Sequence, residues 1–159
     1  MTRGGRSKVV ATAVTHTATT SVTVKLEKRA VVGSPGPSDA PALFAAATNG
    51  PDKAELLYPP DGVLLPPNLN SLEVMGKSEQ ADLFEVSLQS DFVDIKLYGE
   101  SLPIKLEGDL WSALAGSNRE SEATLTLRSL QRATPGTARL SAPRTLAFAR
   151  EDVRGGLYY

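Results

Sequence analysis

The sequence predicts an all-β protein: an antiparallel β-sandwich with one short helical turn and a mobile N-terminal arm. Three observations carry this. Apolar residues alternate with polar ones over short runs throughout the chain, and extended helical periodicity is nearly absent. The runs recur at short, regular spacing from Ala54 onward. Two proline pairs bracket an Asp-Gly turn in YPPDGVLLPPNL, the pattern of a guarded sheet edge.

In chain order, VVATAVT (9–15) and TSVTVKLEK (20–28) read as two strands able to pair through the His16–Thr19 region. Val22, Val24 and Leu26 share one face of the second strand. Two strands alone are marginal in water, so residues 1–28 read as a strand-like basic arm that needs a partner or stays mobile. Residues 29–52 hold Gly33, Pro35, Gly36, Pro37, Pro41, Gly50 and Pro51 and read as a linker with room for a short ALFAAA helix. The sandwich is then expected over 53–154, and 155–159 as the start of a following module.

Within 53–154, residues 58–67 predict a kinked edge strand. Pro59-Pro60 and Pro66-Pro67 cannot donate to a ladder, and Gly62 takes the positive φ of the turn. SLEVM (71–75) is the first inner strand. DLFEVSL (82–88) turns Phe84, Val86 and Leu88 inward, and FVDIKLY (92–98) turns Val93, Ile95 and Leu97 inward, with Gln89–Asp91 as their hairpin loop. LPIKLEG (102–108), EATLTLRSL (122–130) and RTLAFA (144–149) supply further strands. GDLWSALAGSN (108–118) is the helical exception: Asp109 caps it, Leu110 and Leu114 share a face, and Gly116 ends it. About seven strands with one helical turn suit a small antiparallel sandwich.

Composition narrows the function classes. A formal charge of −1 provides no strong field toward nucleic acid. The charge is uneven, because Arg3, Arg6, Lys8, Lys25, Lys28 and Arg29 face only Glu27 in the N-terminal segment. Those cations are scattered among Thr and Val without stacking aromatics, so nucleic acid is not an expected partner. With no cysteine and only His16, the usual zinc ligand sets and cysteine nucleophiles are excluded. No base partners Ser112 or Ser117 in a recognisable arrangement. Asp91/Asp94, Glu120/Glu122 and Glu151/Asp152 are local carboxylate pairs; glycoside hydrolysis needs two carboxyls facing each other across a cleft. Glu120 and Glu122 are expected side by side on one strand face, and Asp91/Asp94 lack the glycine-punctuated loop of a calcium site. His16 is expected to face solvent. No catalytic, cofactor or metal residues are assigned.

Two aromatics stand as surface candidates. Tyr98 and Trp111 could line a sugar-binding platform, although Trp111, beside Leu110, Ala113 and Leu114, reads more simply as a helical plug over one end of the core. No run approaches a membrane span, and the first twenty residues lack the apolar centre of a secretory signal.

YPPDGVLLPPNL, DLFEVSL, WSALAGSNRESEATLTLR and the terminal REDVRGGLYY together resemble a module of myxobacterial-type surface and envelope proteins, over about Glu55 to Tyr159. In that family an immunoglobulin- or fibronectin-III-like β-sandwich precedes a TolB-like β-propeller. This sequence departs from its pattern at Met75, where the family tends toward an aromatic. The resemblance implies an internal piece of a longer exported bacterial chain, in the cell envelope or outside the cell. It also implies that VVATAVTHTATTSVTVKLEK ends a preceding immunoglobulin-like domain and that GGLYY opens the next module. If Met1 is the true start, the chain is cytoplasmic instead. The family offers no catalytic residues for this module, so the expected role is structural: spacing or docking neighbouring domains. The alternative is a carbohydrate- or protein-binding sandwich acting on its own.

Overall fold

The computed structural model describes residues 3–155. The chain opens with β1 (Gly5–Ala13), β2 (His16–Val24) and β3 (Leu26–Val31), then helix α1 (Ala40–Ala46) and the short β4 (Thr48–Asn49). β5 (Glu55–Tyr58), β6 (Val63–Leu65), a 3-10 turn (Pro67–Leu69) and β7 (Ser71–Lys77) follow. β8 (Leu83–Gln89), β9 (Val93–Gly99) and β10 (Ile104–Glu107) lead into α2 (Gly108–Ser117). Then come β11 (Glu122–Leu130), β12 (Thr137–Leu140) and β13 (Arg144–Phe148).

The protein is mostly β, in several sheets. The smaller main sheet runs β10-β7-β5 and is antiparallel. The larger follows the path β3-β9-β8-β11-β12-β4, with β13 beside the first half of β11 and β6 beside β13. Leu56, Leu72, Val74, Ile104 and Leu106 of the smaller sheet share one apolar core with Val86, Leu88, Ile95, Leu97, Leu125, Leu127 and Leu146 of the larger. Each such side chain contributes about 1.5–3 kcal/mol by leaving water. Gly76 sits where β7 passes the core: a Cβ there would lie 2.5 Å from Leu127 and 2.7 Å from the Glu55 carbonyl, so a side chain would force the layers apart.

The antiparallel expectation holds for β8, β9 and β11, the centre of the larger sheet. It fails at the margins, where β3 with β9, β4 with β12 and β6 with β13 are parallel. Each of these joins a strand far away in sequence, and such long connections leave strand direction free. β12 has no counterpart among the strands that the sequence predicts. It is four residues long, follows Pro135-Gly136, and has no period-two pattern.

The proline-bracketed stretch is an edge, as its residues predict, but it forms two strands. β5 ends the smaller sheet; Pro59–Gly62 then carries the chain across to β6 on the larger one. Gly62 has φ +72°, and its N–H donates to Thr145 O at 2.8 Å, while Asp61 Oδ1 accepts from Thr145 N at 2.6 Å. The Arg144 guanidinium donates to the Leu56 and Pro59 carbonyls, closing that edge further.

Residues 29–52 are not a free linker. β3 pairs along six residues of β9, and the Val32 N–H continues the ladder to Tyr98 O at 2.7 Å. Ala40 and Phe44 of α1 form a second core with Leu83, Tyr98, Leu130 and Ala138 on the outer face of the larger sheet. The prolines and glycines between Gly33 and Pro37 serve only the crossover from β3 to α1. β8 is consequently buried on both faces, Leu83, Glu85 and Ser87 included, where its alternation predicts one wet face.

β1 and β2 form the expected hairpin, but its turn is Val14–Thr15, with His16 already paired to Ala13. Residues 20–28 are not one strand: β2 stops at Val24, Val22 is 50% exposed, and Leu26 starts β3 in the core. The β8–β9 loop is Ser90–Phe92, held by Ser90 Oγ accepting from the Phe92 and Val93 amides. In α2, Glu107 rather than Asp109 occupies the N-cap position. Gly116 lies within the helix, and Asn118 ends it with Nδ2 donating to Leu114 O at 2.7 Å. GLYY, expected to open a further module, lies outside the described residues.

Candidate functional site

A buried polar group lies between α1 and the larger sheet. Glu85 is 2% exposed at the middle of β8, where a lone carboxylate would be costly to desolvate. Arg128 of β11 reaches its Oε1 at 3.2 Å and Lys96 of β9 its Oε2 at 3.5 Å, from strands directly beside β8. The same guanidinium donates to Phe44 O and Ala47 O, both at 3.1 Å, and to Asn49 Oδ1 at 3.0 Å. It also lies 5.4 Å from the centre of the Phe44 ring. One side chain thus ties residues 40–49, α1 and β4 together forming a strap, to the larger sheet.

Tyr98 belongs to this group. It pairs across the ladder with Glu85 and packs 6.0 Å from the Phe44 ring. Burial, and then the Glu85 carboxylate, push its phenol up to about 12. At 3% exposure it presents no face to a ligand. Trp111 is 1% exposed; its Nε1–H donates to Pro67 O at 2.8 Å and its ring lies 6.2 Å from Phe148. Both surface candidates are therefore core residues. Tyr98 faces inward because α1 covers that side of β9, an arrangement no local pattern announces. Trp111 is the plug that its neighbours suggest.

The remaining candidates are dispersed. His16 sits exposed at the tip of the β1–β2 hairpin, with Nδ1 3.2 Å from Thr15 Oγ1. Asp91 lies 3.9 Å from Arg6, whereas Asp94 pairs with Arg29 at 2.8 Å, so the two carboxylates serve different partners. Burial pushes the Asp94 carboxyl up, but the Arg29 hydrogen bond and charge, with help from Gln89 and Lys96, leave it below its ordinary value. Glu120 and Glu122 are not side by side: Glu120 stands in the preceding turn with φ +58°, and β11 begins only at Glu122. Asp152 pairs with Arg119 at 2.8 Å, and Glu151 stands 3.5 Å from Arg150. Ser117 Oγ accepts from Gly4 N at 2.9 Å. Among the described residues no group of three or more His, Cys, Asp or Glu is placed to hold a metal ion.

An ion triad on the surface braces the strap's other end. Arg132 reaches Asp39 at 3.0 Å and Glu100 at 3.0 Å. The hydrogen bond from Arg132 holds the Asp39 carboxyl below its usual range. Elsewhere, an open, mixed-charge cleft of about 570 Å³ is lined by Asp52, Lys53, Glu55, Lys77, Glu79 and Arg139, among others. Around Glu85, Asp94 and Arg132, cations neutralise carboxylates and satisfy carbonyls between segments distant in sequence. No helix among the described residues is long and apolar enough to cross a membrane. No protein-family model, curated protein or solved structure matches the chain.

Proposed function

We propose that the chain is a non-catalytic, immunoglobulin- or fibronectin-III-like sandwich module of a larger exported bacterial surface or envelope protein, where it spaces or docks a neighbouring β-propeller. The observation that supports this most is where its ionisable side chains are committed. Glu85–Arg128–Lys96, Asp39–Arg132–Glu100 and Arg29–Asp94 each tie one backbone segment to another. The leading strand that crosses between sheets at Pro59–Gly62 suits a sandwich of that type.

Sequencing the locus on both sides of the coding segment tests the reading. It predicts a frame that continues into repeated four-stranded blades and begins with an export signal. A stop codon directly after Tyr159 together with a ribosome-binding site ahead of Met1 would overturn it. In the alternative reading, a sandwich that binds on its own, burial of Tyr98 and Trp111 counts against a carbohydrate platform, and the exposed hairpin favours a protein partner. Calorimetric titration with glycans separates them: saturable binding lost in a folded Trp111→Ala protein would favour carbohydrate.

A further inference from the structure

Residues 6–23 are exposed without interruption, although they form two regular strands with nine register pairs from Gly5–Val24 to Ala13–His16. A two-stranded ribbon without a third strand is marginal in water, because neither face buries apolar surface. One face of this ribbon carries Val9, Val22, Ala11 and Ala18 with Ser7 and Thr20; the other carries Arg6, Lys8, Val10 and threonines.

The charge of the ribbon points to its partner. Of the chain's 17 lysines and arginines, six fall in residues 3–29 beside one of its 18 carboxylates; the other eleven share the remainder with seventeen carboxylates. Of these six, only Arg6 and Lys8 lie in the ribbon itself, which holds no carboxylate, while Lys25, Lys28 and Arg29 lie just before or within β3; the ribbon is thus modestly cationic and the rest of the chain anionic. Arg6 and Arg29 reach carboxylates of their own body, whereas Lys8, Lys25 and Lys28 make no ion pair among the described residues. Glu73, Glu79, Asp109 and Glu122 on the body are likewise unpaired among the described residues.

We infer that the β1–β2 ribbon is a self-recognition arm, which lies against the acidic body of a second copy of this chain in a head-to-tail contact. A heterologous contact of this kind leaves a free arm on one copy and a free body on the other, so further copies can add. The contact goes beyond the module reading: a strictly monomeric chain would overturn it and leave that reading standing.

Sedimentation velocity on the full chain tests it, at about 0.01 M and about 1 M salt, where the screening length falls from roughly 30 to 3 Å. Wild-type protein is expected to associate in the first condition and dissociate in the second. Reversing Arg6→Glu with Lys8→Glu, both exposed, is expected to weaken self-association at least about tenfold. A labelled reversed-arm chain should still bind unlabelled wild type through its intact body. Three results would overturn the proposal: a monomer at every concentration in low salt, a reversed-arm chain that associates as before, or one that binds wild type more tightly than wild type binds itself. The last would reveal arm-on-arm pairing.

Discussion

Replacing Arg128 with Met tests whether the strap over residues 40–49 is part of the folded unit. The Arg128 side chain is 15% exposed, and its guanidinium makes four hydrogen bonds, to Phe44 O, Ala47 O, Asn49 Oδ1 and Glu85 Oε1. Removing one partner of a buried pair costs about 3–5 kcal/mol, because the other charge is left in a medium that solvates it poorly. Lys96, still 3.5 Å from Glu85, softens that loss. We therefore expect Arg128→Met to cost about 3 kcal/mol in urea unfolding, followed by emission of the single tryptophan, Trp111. Glu85→Gln alone should also destabilise, and the double variant by less than the sum, with a coupling of about 0.5–3 kcal/mol. A loss below about 1 kcal/mol, or strict additivity, would refute the network as a fastening between strap and sheet.

Leu125→Ala and Phe84→Ala, both in the shared core, should each cost about 2–5 kcal/mol; unchanged urea midpoints would contradict the facing of β8 and β11. The phenol of Tyr98, raised to about 12, favours the folded state below pH 10, and that contribution is lost as pH rises through the folded value. Alkaline unfolding between pH 10 and 12 should thus be shallower in Tyr98→Phe than in wild type; identical curves would remove Tyr98 from the buried network. The Asp94 carboxyl is lowered, so its contribution is present above pH 3.8 and is lost as pH falls through its folded value. Asp94→Asn should therefore flatten the acid limb below about pH 4. An acid limb as steep as wild type would show that the Arg29 pair does not hold β3 to β9.

The inner strands were legible because each has one face toward the shared core: Val93, Ile95 and Leu97, like Ala123, Leu125 and Leu127, occur at every second position and are buried. The edge function of Pro59–Gly62 was legible too, since a missing N–H and a positive φ are local properties. What sequence reading missed depends on pairing between remote segments. Leu26–Val31 and Thr48–Asn49 join the larger sheet in parallel, through backbone groups that leave little trace in side-chain pattern. The second core was hidden for the same reason. Glu85 and Tyr98 look like wet-face residues until α1, from a Pro-rich stretch, is laid over them. Of the two aromatic candidates, Trp111 was readable as core from its own helix, and Tyr98 was not.

Residue-resolved hydrogen exchange across a concentration series tests most directly the division into an integral strap and an exposed arm. The amides of Val32, Ala47, Thr48 and Gly50 donate to Tyr98, Leu43, Gly136 and Ala138. They should open with free energies near that of the body strands, whatever the protein concentration. The β1–β2 amides should exchange far faster in dilute protein and slow as concentration rises in low salt. Fast exchange at all four of these amides would return residues 29–52 to the status of a linker, and arm exchange independent of concentration would leave the ribbon without a partner in its own kind.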